Sequence, residues 1–171
     1  MRFLRQVMQS IDWFIEHLGR IISFLTLILI ATMSYEVVAR YVFNSPTAWS
    51  YDSSYMIGGS MMILGASYTL LHKGHVRVDL LYDRFSFRVR QTIDLVFTVV
   101  IFFPLVYLLT HRFFQSAFTA LERGTRSDFG IWMPLVWPFR LVISIAFALL
   151  LLAGISWFIR IVLSLKEGRE L

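Results

Sequence analysis

Four runs of this chain are apolar on every side, with no polar face returning at the 3.6-residue helical period. They cover residues 21–43, 53–71, 95–111 and 141–159. The first is charge-free until Glu36, the second lies between Asp52 and Lys73, the third between Asp94 and Arg112, and the fourth between Arg140 and Arg160. A helix needs roughly 20 mostly apolar residues to cross a bilayer, whereas a helix buried in a soluble bundle keeps a polar stripe. The pattern therefore predicts an all-α integral membrane protein, one membrane domain over residues 1–171 with four transmembrane helices. Ahead of the first run, Phe3, Leu4, Val7, Met8, Ile11, Ile15 and Leu18 form a stripe at helical spacing, with Arg2, Arg5, Gln9, Asp12 and Glu16 opposite. That is an amphipathic lead-in, suited to lying on the inner leaflet or packing against a partner.

Composition agrees. The chain is 57% hydrophobic and 16% charged, with a mean hydropathy of +0.67, where a soluble domain is about a quarter charged. There is no cysteine, so disulfides, thiolate metal sites and cysteine nucleophiles are excluded. The net charge of +5 reports orientation rather than nucleic-acid binding. Arg2, Arg5 and Arg20, then Lys73, Arg77, Arg84, Arg88 and Arg90, then Arg160, Lys166 and Arg169 fall on one side. Arg40, Arg112, Arg123, Arg126 and Arg140 fall on the other. The excess places both termini and residues 72–94 in the cytoplasm. Trp13 and Trp157 mark the cytoplasmic ends of spans, and Trp49, Trp132 and Trp137 the outer ends. Pro46, Pro134 and Pro138 fall in the outer connections, where a missing N–H costs nothing inside the membrane. The apolar core begins only at Ile21, behind Asp12 and Glu16, and no small-residue cleavage site follows it. A retained first span is expected.

The stretch HKGHVRVDLLYDRFSFRVRQ, residues 72–91, concentrates polar chemistry. His72, His75 and Asp79 have suggestive metal-ligand spacing. Gly74 breaks the helix between the histidines, however, and Lys73 and Arg77 repel a cation, so no metal site is expected. The basic residues are too few and too mixed with Asp79, Asp83 and apolar positions to hold nucleic acid. The stretch reads as a short amphipathic segment between spans two and three, lying in the interface. In it His75 and Asp79 shape the turn, and Arg84 faces headgroups or water.

At the outer half, Glu36 and Arg40 stand in the favourable i,i+4 order for an ion pair. Charges at that depth need partners or water, so the pair is either self-neutralising or a contact to another membrane subunit. The turn Asn44 to Asp52 leads into span two, with Ser50 or Asp52 able to cap the helix and Trp49 anchoring it. Gly58, Gly59 and Gly65, with Ser60, Ala66 and Ser67, form small-residue grooves for close helix packing, within the chain or against a partner.

The run RYVFNSPTAW followed by SYDSSYMIGGSMMILGASYTLLHKGHVRVDLLYDRF resembles the small membrane subunit, of DctQ type, of tripartite ATP-independent periplasmic (TRAP) transporters. The matching positions are Arg40, Tyr41, Phe43, Pro46, Trp49, Gly65, Ala66, His75, Val76, Val78 and Asp79. The later stretch FGIWMPLVWPFRLVIS is similar to the family's approach to its last helix. At three points the chain departs from the family's pattern. Asp52 stands where glutamate is usual, span two has no central tryptophan, and Ser144-Ile145-Ala146 replaces a Pro-x-Gly. The resemblance implies a scaffold for a large multi-span permease subunit in a bacterial or archaeal inner membrane. It further implies an extracytoplasmic substrate-binding protein delivering a solute, commonly an organic acid, and sodium coupling located in the partner subunit. The resemblance implies no cofactor and no enzymatic activity for this chain. The candidate interface residues are Glu36, Arg40, Tyr41, Trp49, Asp52, Gly58, Gly59 and Gly65. A competing reading, a membrane-anchor cytochrome b-type subunit, needs histidines facing each other inside the bundle. His17, His72, His75 and His111 all stand at predicted span ends. A lone multidrug pump needs an intramembrane carboxylate, and Glu36, the only candidate, lies near the outer boundary and Arg40.

Overall fold

The computed structural model describes residues 2–72 and 85–168, with only the backbone at Arg2. His75, Asp79, Arg84 and most of the interfacial segment expected between spans two and three lie outside the described residues. The rest is helical, with no strand among the described residues.

Nothing between Arg2 and Tyr41 breaks a helix, and those 40 residues form one continuous rod, α1. At 1.5 Å per residue it is about 60 Å long, twice the hydrocarbon thickness of a bilayer. The amphipathic lead-in is therefore continuous with the first apolar run, as the first half of the same helix. Asn44 then takes a left-handed turn, φ 48°, which asparagine tolerates better than most residues. Helix α2 follows from Ser50 to Leu71 and returns the chain to the end where it began. Helix α3, Phe87–Phe97, passes through a π-helical segment, Thr98–Phe102, into α4, Phe103–Arg123. Pro104 explains the wide turn. It has no N–H, and its ring presses on the carbonyl four residues back, while Phe103 N–H reaches five residues back to Thr98 O. Gly124, at φ 58°, ends α4 in the left-handed conformation that glycine adopts without strain. Helix α5 runs from Trp137 to Glu167, opening on Pro138 and closing on Gly168.

Helix α5 is the spine: α1, α2, α3 and α4 all pack on it, and α1 also packs on α2. Its buried residues are small or branched, among them Ala146, Ala153, Gly154, Ser156 and Leu163, so its neighbours approach closely. Helices α4 and α5 are antiparallel, and their register is fixed along their length. Phe103 meets Phe158 edge-on at 6.1 Å, and Phe113 stacks on Phe147 at 5.2 Å. Arg140 Nη1 donates to Ser116 Oγ at 3.0 Å. A Cβ on Gly154 would collide with the Phe102 ring.

The α1 helix, the joined α3–α4 rod and α5 are each long and apolar enough to cross a membrane. Helix α2 is 22 residues long, sufficient in length, but its serines, glycines and tyrosines make it less apolar than the other three. In their most apolar stretches only 6% of α1 and 11% of the α3–α4 rod is buried, against 33% of α5. Most of this apolar surface faces outward.

Candidate functional site

Two polar clusters hold the helix ends, one near the chain termini and one at the opposite, distal end. Near the termini, Asp12 on α1 accepts from Arg160 Nη2 at 2.7 Å and from the Ser156 hydroxyl, both on α5. Arg5 pairs with Glu167, which brings the two ends of the described chain together. His72 Nε2 lies 2.7 Å from Glu16 Oε2 and so ties α2 to α1, with Arg20 beside it at 3.4 Å. On the same stretch of α1, Ile15 is buried, 1% exposed.

The distal cluster contains most of the residues singled out in the sequence. The Glu36–Arg40 pair forms as expected, with Arg40 Nε at 2.9 Å and Nη2 at 2.5 Å from Glu36 Oε1. Its second oxygen has a further role: Thr47 N–H donates to Glu36 Oε2 at 3.0 Å, and the Thr47 hydroxyl donates to the same atom. Glu36 thus accepts on both oxygens and fastens the 44–49 turn back onto α1. Trp49 stacks on Tyr35 at 5.8 Å, a second tie between turn and helix. Tyr41 is exposed, with its ring away from the cluster.

Asp52 does not cap α2. The cap position is Trp49, without a side-chain cap bond, and Asp52 sits fully buried in the first turn. Its Oδ1 accepts from the Ser127 hydroxyl at 2.9 Å, while Oδ2 is buried without a hydrogen-bond partner among the described residues. Against it lies Gly130, where any Cβ would run into the Asp52 carboxylate. The 124–136 connection is shaped to deliver Ser127 there. Val136 N–H bonds Thr125 O at 3.1 Å, Ser127 N–H bonds Pro134 O at 2.8 Å, and Met133 is held at φ 49°. Phe129, Ile131 and Trp132 are exposed on the outside of this loop. A shallow cavity of about 320 Å³ separates it from the other loop, lined by Arg40, Pro46, Thr47, Ala48, Tyr51, Phe129, Gly130 and Ile131.

Of the small-residue groove, Gly58 and Gly59 serve packing within the chain. Gly58 faces Leu29 of α1, and a Cβ on Gly59 would lie 3.1 Å from Phe139 of α5. Gly65 has open space beside it and lines a recess with Gly19, Arg20 and Tyr68. No cluster of three or more potential metal ligands occurs among the described residues. The described histidines do not face one another. His17 bonds Trp13 O, His72 bonds Glu16, and His111 lies on the exposed side of α4 beside Tyr107.

Thr47, Ser127, Gly130, Asp12 and Arg160 carry these clusters, and the sequence alone does not single them out as partners. Only Thr47 had a local signal, as a hydroxyl in the turn that follows the Glu36–Arg40 pair.

The profile of the family described as "Tripartite ATP-independent periplasmic transporters, DctQ component" matches residues 27–164. Comparison with curated proteins gives no match, and comparison with solved structures gives none. The matched stretch begins in the distal half of α1, takes in the whole distal cluster, and ends on the α5 spine. The chain belongs to the DctQ component family of tripartite ATP-independent periplasmic transporters, a component of the inner membrane.

Proposed function

We propose that this chain is the small scaffold subunit of a secondary-active transporter. It crosses the inner membrane four times with its termini in the cytoplasm, and it braces a large multi-span permease subunit that moves the solute. A periplasmic substrate-binding protein delivers that solute, of the organic-acid class, and sodium coupling resides in the large subunit. The distal cluster then faces the periplasm, where Glu36, Arg40, Trp49 and Asp52 shape the contact surface for the large subunit, and the two distal loops help dock the binding protein. The cluster near the termini faces the cytoplasm.

One observation supports the bracing role above the others: the rods on both flanks of α5 leave their apolar stretches almost entirely uncovered. Lipid covers such surface at no cost, and a second membrane protein can cover it with close packing. The two polar clusters tie helix ends together.

The test is co-expression with the large subunit, followed by affinity purification and uptake in proteoliposomes. The large subunit should co-purify, uptake should require both chains, and this chain alone should carry no flux. Replacing Glu36 or Arg40 singly should weaken co-purification. Flux through the isolated chain would refute the proposal, as would assembly and uptake unaffected by its removal.

A further inference from the structure

The outward face of α4 carries charge at a depth where its neighbour α5 carries none. On α5 the charge-free stretch runs between Arg140 and Arg160, which at 1.5 Å per residue spans about 30 Å, the thickness of the hydrocarbon core. The register of the two helices is set by Phe103 on Phe158, Phe113 on Phe147 and Ser116 on Arg140. Arg112 is therefore roughly level with Phe147, about 6–10 Å inside the Arg140 end of that stretch. His111 is slightly deeper and Gln115 slightly shallower. All three are exposed, on the side of α4 away from α5, and no carboxylate among the described residues pairs with Arg112.

An arginine, a histidine and a glutamine on one face cannot be left to hydrocarbon chains. Polar groups in membrane spans face protein or water, and charged ones are paired. Outward snorkelling is only a partial relief for Arg112, because the Cα–Cβ bond of a helical residue tilts toward the helix N-terminus, and it does nothing for His111. In α4 that direction leads deeper into the charge-free layer. His111 is deeper still and has a shorter side chain. Headgroup phosphate is thus a poor partner for the set, and a protein helix with acceptors at matching depth is a good one.

We infer that the face of α4 bearing His111, Arg112 and Gln115 docks against a transmembrane helix of the large subunit, one that presents a carboxylate or free backbone carbonyls to Arg112. This rests on the scaffold reading above and specifies where the contact lies. It adds a polar contact in the middle of α4 to the one at the distal edge of α1.

The test uses the full chain co-expressed with the large subunit. A photo-reactive benzoylphenylalanine is placed at Gln115, with a control at Leu27 on the outward face of α1. Separately, Arg112→Leu and Arg112→Lys are compared for partner recovery, with membrane insertion of each variant checked. Two results are expected. Gln115 should cross-link to the large subunit while Leu27 labels lipid, and Arg112→Leu should lower recovered partner on the order of tenfold while Arg112→Lys keeps most of it. The inference is overturned if the wild-type pair co-purifies but Gln115 labels only lipid, or if inserted Arg112→Leu binds like wild type; the scaffold reading would survive both. Failure of the wild-type chains to associate would overturn the scaffold reading and this one with it. The Gln115 probe leaves Arg112 intact, so it decides the matter even if Arg112→Leu fails to insert.

Discussion

At the scale of single residues, the distal end depends on two carboxylates with different duties. Glu36 is fully occupied by Arg40 and Thr47, and it holds a turn to the helix that precedes it. Thr47→Val, which removes the hydroxyl but keeps the shape, should lower the Tm of the detergent-solubilised chain without changing its helix content by circular dichroism. Asp52 is fully buried, and among the described residues its side chain has one hydrogen-bond partner, Ser127. Ser127→Ala strips that partner from a buried polar group and should cost about 1–3 kcal/mol. Gly130→Ala pushes a methyl into the same carboxylate and should cost about 1–3 kcal/mol by overpacking. Equilibrium unfolding of the two single variants and the double would check both, with a non-additive double expected because the sites share Asp52. The Glu36–Arg40 pair was legible because helical spacing alone brings residues four apart together. The Asp52–Ser127 bond was not: its partners are 75 positions apart, and only the path of the 124–136 loop joins them.

At the scale of elements, apolar runs locate the helices but not their ends. A helix ends where its backbone is interrupted, and nothing does so before Gly124, so α4 continues past the apolar run 95–111, through His111 and Arg112, to Arg123. Likewise no breaker separates the lead-in from the first span, and α1 runs through both. The π-helical segment before Pro104 sets the angle at which Phe102 meets Gly154. Gly154→Ala should destabilise by about 1–3 kcal/mol through collision with that ring. Pro104→Ala restores the missing donor and should relax the wide turn to an ordinary one, rotating α3 against α4. Cysteine pairs placed across α3 and α5 would report the change, with cross-linking expected to shift by one position along α3. The close approach of Gly154 to Phe102 had no sequence signature beyond a small residue in an apolar run, since the ring it meets lies on another helix.

At the scale of the whole molecule, topology is the property to measure. Reporter fusions should give periplasmic activity at residues 47 and 128 and cytoplasmic activity at residue 78 and after residue 168. This pattern requires α2 to span despite its serines and glycines, and a cytoplasmic signal at 47 would count against it. The all-helical fold and the broad helix order followed from apolar runs alone, because burial in lipid imposes one rule on every residue of a span. The polar clasps did not, because they depend on which helices become neighbours.

The helix that touches every other one is also the last in the order of the chain. While a ribosome is still feeding the chain into the membrane, α1 and α2 can pair, but the α3–α4 rod has no companion until α5 emerges. During that interval it waits in the bilayer with Phe103, Phe113 and Ser116, the side chains that α5 will meet, uncovered, the form most open to capture by a quality-control protease. A pause in synthesis just before residue 137 should therefore lower the yield of mature protein far more than one of equal length just before residue 50, and supplying the α5 segment as a separate peptide should restore part of it.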